Sequence, residues 1–462
     1  MSTVDAALQS GPALKSRMLR AASWLVAGNF TAQALRLGSS LVLTRLLLPE
    51  AFGLMVAVST MYLALLMFSD LGIWQSVVRS QRGEDPRFLG TAWMVQMLRG
   101  ILLAVLVLLM ALFVWMAAGY GLFAAGTVYA DPRLPLMIAV FALSALVQGL
   151  ESMQLAMAER ELRGRQLVRL ELITQVATLA LTLTAAWLTR SVWALLFGTV
   201  AGSVIKTVLS YVLIPGRRVA PCWDADIARE IIGFGKWIFL SSIIGFLAAH
   251  GEKLILGGSL SIASFGIFSV ASNLLSALVS VFSTLNGRVI FSSLSLVLRG
   301  DDPAAVARVY TRMQQLADLF LGIVSGGLLL AGHWVVAVLY DPRYADAGWM
   351  LQLLGLGMVA MRHQVLEQLM FAQGRPGWVS ANNALRALAL VVCIPTGFAL
   401  AGERGAIWGV VVSQFASWPL SLRFKYNNGL LSWATEKWWL PGLLLGMAVG
   451  WALDATMANW MH

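Results

Sequence analysis

Charged side chains are scarce in this sequence. Asp, Glu, Lys and Arg make up 12% of the 462 residues, whereas a soluble globular domain carries about 25%. Hydrophobic residues make up 59% of the chain. Too few polar side chains remain to cover the surface of a globule in water, so the composition excludes a soluble protein and predicts a membrane protein.

Cysteine and recognisable catalytic motifs are also lacking. The two cysteines, Cys222 and Cys393, are far apart and show no spacing typical of a metal or redox pair. The sequence contains no Walker phosphate loop, no His-Glu-x-x-His pair and no nucleophile elbow. We therefore expect no enzymatic activity, no resident metal and no cofactor.

Long apolar segments follow one another along the chain, and about 20 such residues suffice to cross a bilayer as a helix. The sequence therefore predicts an all-α polytopic membrane protein with about twelve or thirteen spans. The predicted spans lie near 20–46, 52–78, 89–117, 134–158, 167–188, 191–213, 231–256, 261–291, 313–340, 347–373, 378–401 and 405–423, with one further run from Trp438 to about Met457.

A basic, proline-containing stretch divides the spans into two sets of six. We expect a first segment at 1–18, an N-lobe at 19–214, a linker at 215–230, a C-lobe at 231–424 and a C-terminal segment at 425–462 with one extra span. Three features recur at nearly one offset: Phe52-Gly53 as Phe265-Gly266, Glu151 as Glu367, and Trp193 as Trp408. This repetition predicts two duplicated lobes related by a pseudo-twofold axis along the membrane normal.

Most Lys and Arg residues of the predicted loops fall on one side of the membrane. Examples are Arg79, Arg82 and Arg87 after the second span, and Arg160 and Arg163 after the fourth. Cytoplasmic loops are enriched in positive charge, so this side and the N-terminus are predicted to be cytoplasmic. The same bias accounts for the net charge of +10 without a nucleic acid partner.

Ionisable residues inside predicted spans are costly and usually face a bundle interior or a hydrated cavity. The first span carries a polar stripe on one helical face, formed by Asn29, Gln33, Arg36 and Ser40. Further cations in the spans complete our candidate substrate-binding set; they are Arg99, Arg288, Arg362 and Arg386. Because a guanidinium stays charged and matches the geometry of phosphate, this set favours an anionic substrate such as a polyprenyl diphosphate carrying sugars.

Acidic and imidazole groups in the spans are candidates for ion coupling, namely Glu151, Glu367, Asp70 and His363. A carboxylate in a cavity can carry a proton, but it can equally neutralise a neighbouring arginine. The hydroxyl and amide side chains have a structural alternative as well, because they commonly join membrane helices by hydrogen bonds.

The first two spans resemble the polysaccharide transporter and oligosaccharide flippase family of the multidrug, oligosaccharidyl-lipid and polysaccharide (MOP) exporter superfamily. The resemblance is carried by Arg45-Leu-Leu-Leu-Pro49-Glu50-Ala-Phe52-Gly53-Leu and by Phe68-Ser-Asp70-Leu-Gly72-Ile. It implies two six-helix lobes in a V shape that flip a lipid-linked headgroup by alternating access. The candidate thirteenth span departs from the plain twelve-span pattern.

The resemblance implies transport of undecaprenyl-diphosphate-linked oligosaccharide repeat units across a bacterial inner membrane for exopolysaccharide, capsule or O-antigen biosynthesis. The expected partners are this lipid-linked oligosaccharide, the lipid bilayer, and a polysaccharide polymerase with its co-polymerase. The alternative is a cation-coupled multidrug or metabolite antiporter of the same superfamily, which needs carboxylates in its cavity. A membrane-embedded polymerase or glycosyltransferase is a third class, but no large loop is present to support it.

Overall fold

The computed structural model describes residues 11–216, 219–298, 300 and 302–461, and it describes the backbone alone at 11–22, 25, 234–241, 285, 288, 289, 460 and 461. Helices account for nearly all of this range. In the first half they are α1 (Gly11–Leu46), α2 (Pro49–Phe68), α3 (Ile73–Arg79), α4 (Pro86–Gly119), α5 (Leu134–Gly149), α6 (Gln154–Arg160), α7 (Gly164–Thr189) and α8 (Val192–Val212).

The second half continues in the same way. Its helices are α9 (Ala225–Gly257), α10 (Ile262–Leu285), α11 (Phe291–Leu298), α12 (Pro303–Leu339), α13 (Ala347–Leu356), α14 (His363–Ala372), α15 (Pro376–Gln414), α16 (Trp418–Asn427), α17 (Trp433–Glu436) and α18 (Trp439–Met461). Over the described residues the only β pairing is an isolated bridge between Thr127 and Ser261.

The prediction of an all-α chain built from successive apolar helices is confirmed. Among the described residues, eight helical segments are long and apolar enough to cross a membrane. A ninth span arises when α5 and α6, which are bent by 62° relative to one another, are taken together. The extra C-terminal run is one of the eight, as the segment Trp433–Asn459.

Several predicted spans are interrupted where the sequence suggested continuous helices. The predicted span 52–78 is broken between α2 and α3, and the predicted span 134–158 is broken between α5 and α6. The predicted span 261–291 passes through a π-helix at Asn286–Ile290. The predicted span 347–373 passes through a 3₁₀ helix at Gly357–Arg362. Hydropathy does not register these breaks because the interrupted segments stay largely apolar.

The chain forms two compact units. Unit 1 contains residues 11–47, Met61–Leu122 and Pro132–Ile243, and unit 2 contains Leu48–Thr60, Phe123–Asp131 and the described residues from Ile244 onward. The start of α2 and the connection after α4 therefore pack with the second half of the chain. The predicted limits of the two lobes stay a prediction.

Within unit 2 the two Phe-Gly motifs of the internal repeat contact each other. A Cβ atom placed on Gly53 would lie 2.4 Å from the carbonyl oxygen of Ile262, and one on Gly266 would lie 1.8 Å from that of Pro49. Only glycine allows this approach of two helix starts. The Phe52 ring packs edge-on against Tyr344, with 5.9 Å between ring centroids.

The connection after α4 is fixed to unit 2 by its own hydrogen bonds. The Tyr129 hydroxyl donates to the carbonyl oxygen of Leu254 at 2.6 Å, and the amide of Ile262 donates to Gly126 at 3.3 Å. Burial raises the pKa of Tyr129, so its hydroxyl stays protonated as the donor.

The C-terminal helix α18 packs lengthwise on α12 through small residues. Gly322 and Gly326 of α12 face Gly442 and Gly446 of α18, and Cβ atoms at these positions would lie 2.2–2.8 Å from backbone atoms of the other helix. Further along, Trp334 Nε1 donates to Asp454 Oδ1 at 2.7 Å. Close backbone packing of this kind replaces the hydrophobic effect as the force that pairs helices in lipid.

We predict that Gly326→Ala lowers the thermal stability of the purified protein, whereas Gly327→Ala does not. The new methyl group at 326 would lie 2.2 Å from the Leu443 carbonyl oxygen, while at 327 the nearest atom is 3.8 Å away. Overpacking of this kind costs about 1–3 kcal/mol. Thermal unfolding in detergent measures the difference, and equal melting temperatures for the two variants would contradict the observed packing.

Candidate functional site

The break between α2 and α3 in unit 1 is stabilised by polar side chains. Gly72 adopts φ 62°, and its amide donates to Asp70 Oδ1 at 3.0 Å. The carbonyls at the end of α2 accept from Arg99 of α4, whose Nε lies 2.7 Å from Ser69 O and whose Nη2 lies 2.9 Å from Leu66 O. Arg99 thus caps a helix that ends inside the unit.

The break between α5 and α6 is capped from the same face of α4. Gln96, one turn before Arg99, donates through Nε2 to the carbonyl oxygens of Gln148, Gly149 and Glu151 at 3.0–3.4 Å. Backbone carbonyls without partners are costly in a membrane, and one face of α4 satisfies both interrupted helices. Asp70, Gln96, Arg99 and Glu151 line a cavity of about 140 Å³, the Arg99 cavity.

A second and larger cavity in unit 1 contains the first-span arginine. It has a volume of about 380 Å³, and we name it the Arg36 cavity. Its polar lining consists of Asn29 and Arg36 from α1, Glu171 from α7 and Lys206 from α8. Among the described residues, the Arg36 guanidinium has no hydrogen bond or ion pair, and the residue is exposed.

An ion pair and an aromatic ring separate the two cavities of unit 1. Lys206 Nζ, which lines the Arg36 cavity, lies 3.1 Å from Glu151 Oε1, which lines the Arg99 cavity. Trp74 lines both cavities. Lys206 therefore has a carboxylate partner on one side and the Arg36 cavity on the other.

The remaining stripe residues of α1 lie outside this lining. Gln33 and Ser40 are partly buried and do not belong to the wall of the Arg36 cavity. The Ser40 hydroxyl is buried without a hydrogen-bond partner in the described structure. The stripe is thus divided, with Asn29 and Arg36 on the cavity side.

Unit 2 has a polar cavity of its own, the Arg386 cavity, with a volume of about 170 Å³. Glu252 of α9, Arg386 and Gln414 of α15, and Ser272 and Ser276 of α10 supply its polar lining. Arg386 donates through Nη2 to Gln414 Oε1 and through Nη1 to His363 Nε2 at 3.2 Å.

The hydrogen bonds of His363 fix its tautomer. Its Nδ1 faces the carbonyl oxygen of Ala360 and must carry the proton, while Nε2 accepts from Arg386. The imidazole is therefore neutral in this arrangement. Glu367, one turn further along α14, lies 3.7 Å from the same Nε2 atom.

Arg362 is engaged in a buried charge cluster at the base of the C-terminal helix. It binds Asp318 of α12 in a bidentate manner at 2.9 and 2.7 Å and lies 3.1 Å from the Glu436 carboxylate. Lys425 Nζ binds the other oxygen of Glu436 at 2.6 Å. Each buried charge has an opposite partner, which is the condition under which buried charges are tolerated.

The structure thus brings together some predicted residues and separates others. Arg36 and Asn29 share one cavity, Asp70, Arg99 and Glu151 another, and His363 and Arg386 are hydrogen-bonded. The side chain of Arg288 lies outside the described residues. Across the described part of the chain, no group of three or more His, Cys, Asp or Glu residues could hold a metal ion.

Sequence reasoning missed Lys206 and Glu252 as cavity residues. Lys206 was visible as a cation inside the sixth predicted span, but its neighbours in space were not. Glu252 falls near the predicted end of the seventh span, beside Lys253, where a charged residue is expected in any case. The recurrence of Glu151 as Glu367 gave no hint that their partners would be Lys206 in one unit and His363 in the other.

Comparison with known proteins places the chain among polysaccharide biosynthesis proteins. A family model described as "Polysaccharide biosynthesis protein" matches residues 42–348. A membrane protein of Klebsiella pneumoniae, described as uncharacterized and encoded in the cps region, is 22% identical over 419 residues. The match covers 89% of this chain and 82% of that protein.

Two solved structures show the same fold. The inward-facing conformation of a MATE multidrug resistance transporter of the MOP superfamily has a TM-score of 0.67 at 14% identity, covering 88% of this chain and 96% of that one. The lipid II flippase MurJ in an inward closed conformation also has a TM-score of 0.67, at 10% identity, covering 95% of this chain and 99% of that one. The predicted MOP-type fold is confirmed.

We predict that Arg99→Met prevents accumulation of folded protein, whereas Arg87→Met, at an exposed position on the same helix, is tolerated. Removing the guanidinium leaves the Ser69 carbonyl without its donor, and the Leu66 carbonyl keeps only the Ser69 hydroxyl. Each buried polar group without a partner costs about 1–3 kcal/mol. Size-exclusion profiles and thermal unfolding of the two variants test this, and a wild-type profile for Arg99→Met would show that the cap is dispensable.

Proposed function

Since the chain belongs to the polysaccharide biosynthesis family, we propose that it is a flippase for undecaprenyl-diphosphate-linked oligosaccharide repeat units. It moves them from the cytoplasmic to the periplasmic leaflet of a bacterial inner membrane by alternating access. The product then serves the assembly of exopolysaccharide, capsule or O-antigen. A polymerase and its co-polymerase act on that product in the same membrane.

The observation that carries this proposal is the uncompensated guanidinium of the Arg36 cavity. Among the described residues Arg36 has no carboxylate partner, in contrast to Arg362, which is held by two. An arginine left without a partner inside a membrane protein is stabilised by water or by an anionic ligand. A diphosphate supplies oxygens that match the guanidinium fork in geometry and in charge.

Lys206 supplies the second positive charge of the site. Its ammonium has three donors, and the described contacts assign it to Glu151 alone. A diphosphate bound to Arg36 in the same cavity therefore has a second cation within the cavity wall. The side-chain amide of Asn29 also lines the cavity and supplies uncharged hydrogen-bonding groups for phosphate or sugar.

Arg99 and Arg362 are left out of the proposed substrate set. Arg99 binds backbone carbonyls, and Arg362 is buried between Asp318 and Glu436. A substrate bound through Arg99 Nε or Nη2, or through Arg362, would have to break these contacts. We assign Arg386 to coupling for the same reason, because it is bound to His363 and Gln414.

We propose further that transport is coupled to protons through the Arg386 cavity and its neighbours. Glu252 lines the cavity, and Glu367 lies close to the His363 ring that Arg386 holds. Buried carboxylates are the groups through which membrane carriers commonly exchange protons. His363 serves as the neutral link between Arg386 and Glu367.

The alternative is a cation-coupled antiporter of drugs or metabolites. The similarity to a MATE transporter supports it on the level of fold, and the carboxylates Glu252 and Glu367 favour it on the level of chemistry. The Arg36 cavity opposes it, because Arg36 and Lys206 outnumber Glu171 as charged groups in its wall. An organic cation would be repelled there.

We predict that Arg36→Gln and Lys206→Gln each reduce translocation of the lipid-linked oligosaccharide about tenfold, while Arg36→Lys retains part of it. A hydrogen bond to a charged group contributes about 1.5–3 kcal/mol, and 1.4 kcal/mol corresponds to a factor of ten. Surface polysaccharide measured in a deletion strain that carries each variant gives the readout. The matched control is Arg229→Gln, an exposed cation that pairs with Asp226 on the predicted cytoplasmic side.

Two outcomes would contradict the flippase. One is normal surface polysaccharide in the deletion strain, without accumulation of the lipid-linked intermediate on the cytoplasmic side. The other is uptake of an organic cation by proteoliposomes at a rate that Arg36→Gln increases, which would favour the antiporter.

We predict that Glu367→Gln abolishes the response of transport to an imposed pH gradient but leaves substrate binding intact. The amide keeps the size of the side chain and cannot carry the proton. Glu403→Gln is the control, because Glu403 neither lines the Arg386 cavity nor contacts His363 in the described structure. Proteoliposomes with and without a pH gradient separate the two variants, and an unchanged response of Glu367→Gln would remove this residue from the coupling path.

A further inference from the structure

A groove lined by tryptophans lies in unit 2 where α14, α16 and the start of α18 meet. Its apolar wall consists of Trp418, Trp433, Trp439, Leu366 and Leu422, and its volume is about 200 Å³. None of these residues lines the Arg36 or the Arg386 cavity. We call this feature the tryptophan groove.

Cations surround the groove in spite of its apolar wall. Lys425 and Arg362 line it from the buried side, and the exposed Lys437 lines it from the outer side. Glu436 is the carboxylate in the wall, and it binds both buried cations. Of the three donors of the Lys425 ammonium, the described hydrogen bonds use one, toward Glu436.

A buried hydroxyl without a partner also lines the groove. Ser421 is 4% exposed, and its Oγ has no hydrogen-bond partner among the described residues. It lies one helical turn before Lys425 on α16, so both side chains are on the same face of that helix. A buried hydroxyl left without a partner is costly and indicates a ligand or an ordered water at this position.

We propose that the tryptophan groove binds an anionic phospholipid of the surrounding membrane. One acyl chain packs along Leu422 and the indole rings. The phosphate accepts hydrogen bonds from Ser421 and Lys425, and the negative charge is matched by Lys437. The carboxylate of Glu436 keeps its contact with Arg362 in this arrangement.

The character of the groove selects a phospholipid over a soluble anion or a peptide. Tryptophan is typical of the level of the membrane where headgroups meet hydrocarbon. Lysines near the cytoplasmic surface attract anionic lipids, and the positive-inside bias predicts that this end of the spans is cytoplasmic. A soluble phosphate would leave the apolar wall of the groove without a partner. A phospholipid supplies both an acyl chain for this wall and a negatively charged phosphate for the cations.

The groove lies at the connection between α16 and α18, so a bound lipid affects how α18 is attached. Trp433 and Glu436 belong to α17, the short helix that joins α16 to α18, and Trp439 is the first residue of α18. A bound lipid therefore contacts both sides of the connection to the C-terminal helix. Its occupancy stabilises the attachment of that helix to α12.

The test uses the full chain purified in detergent and offered equal amounts of phosphatidylglycerol and phosphatidylcholine with the same acyl chains. Excess lipid is removed by size exclusion, and the retained lipid is quantified by mass spectrometry. We expect phosphatidylglycerol to be retained preferentially. Lys437→Gln should lower this preference about fivefold, the effect of the ~1 kcal/mol that one lysine contributes near an anionic surface.

Two further variants locate the effect in the groove. Ser421→Leu fills it and should reduce the retention of both lipids, and Arg229→Gln, an exposed cation of unit 1, should leave the preference unchanged. Equal retention of both lipids by the wild type would overturn the proposal. A preference that survives both Lys437→Gln and Ser421→Leu, or that falls equally in Arg229→Gln, would place the lipid elsewhere.

Discussion

A helix that ends inside a membrane leaves carbonyl groups that neither water nor lipid can satisfy. In unit 1 two helices end within predicted spans, α2 at Phe68 and α5 at Gly149, and both are capped from one face of α4 by Gln96 and Arg99. The first break contains Asp70 and the second contains Glu151. The Arg99 cavity lies between these two breaks.

The same demand for partners divides the intramembrane arginines into two kinds. Arg99 donates to backbone carbonyls and Arg362 to carboxylates, and both hold elements of the fold together. Arg36 lines a cavity, and its guanidinium has no such partner among the described residues. The proposed substrate role of Arg36 rests on this difference in contacts and not on burial.

Composition and hydropathy predicted the fold class well, because the bilayer imposes a minimum length on each apolar helix. Hydropathy did not predict the interruptions near Asp70 and Gly357, because an average over a whole span stays apolar when it includes a few polar or glycine residues. For the site, the 3.6-residue period placed Asn29 and Arg36 on one face of α1, and both line one cavity. The period could not show that Gln33 and Ser40 lie outside its wall, nor that Lys206 pairs with Glu151, because such contacts depend on how neighbouring helices pack.

The meeting of Phe52-Gly53 with Phe265-Gly266 bears on which substitutions this chain can accept. The two glycines are distant positions in the sequence that share one space, with backbone atoms 1.8–2.4 Å from where a methyl group would stand. Neither position can take a larger residue unless the backbone at the other position moves. The identities of the two residues are therefore coupled across more than 200 positions of sequence.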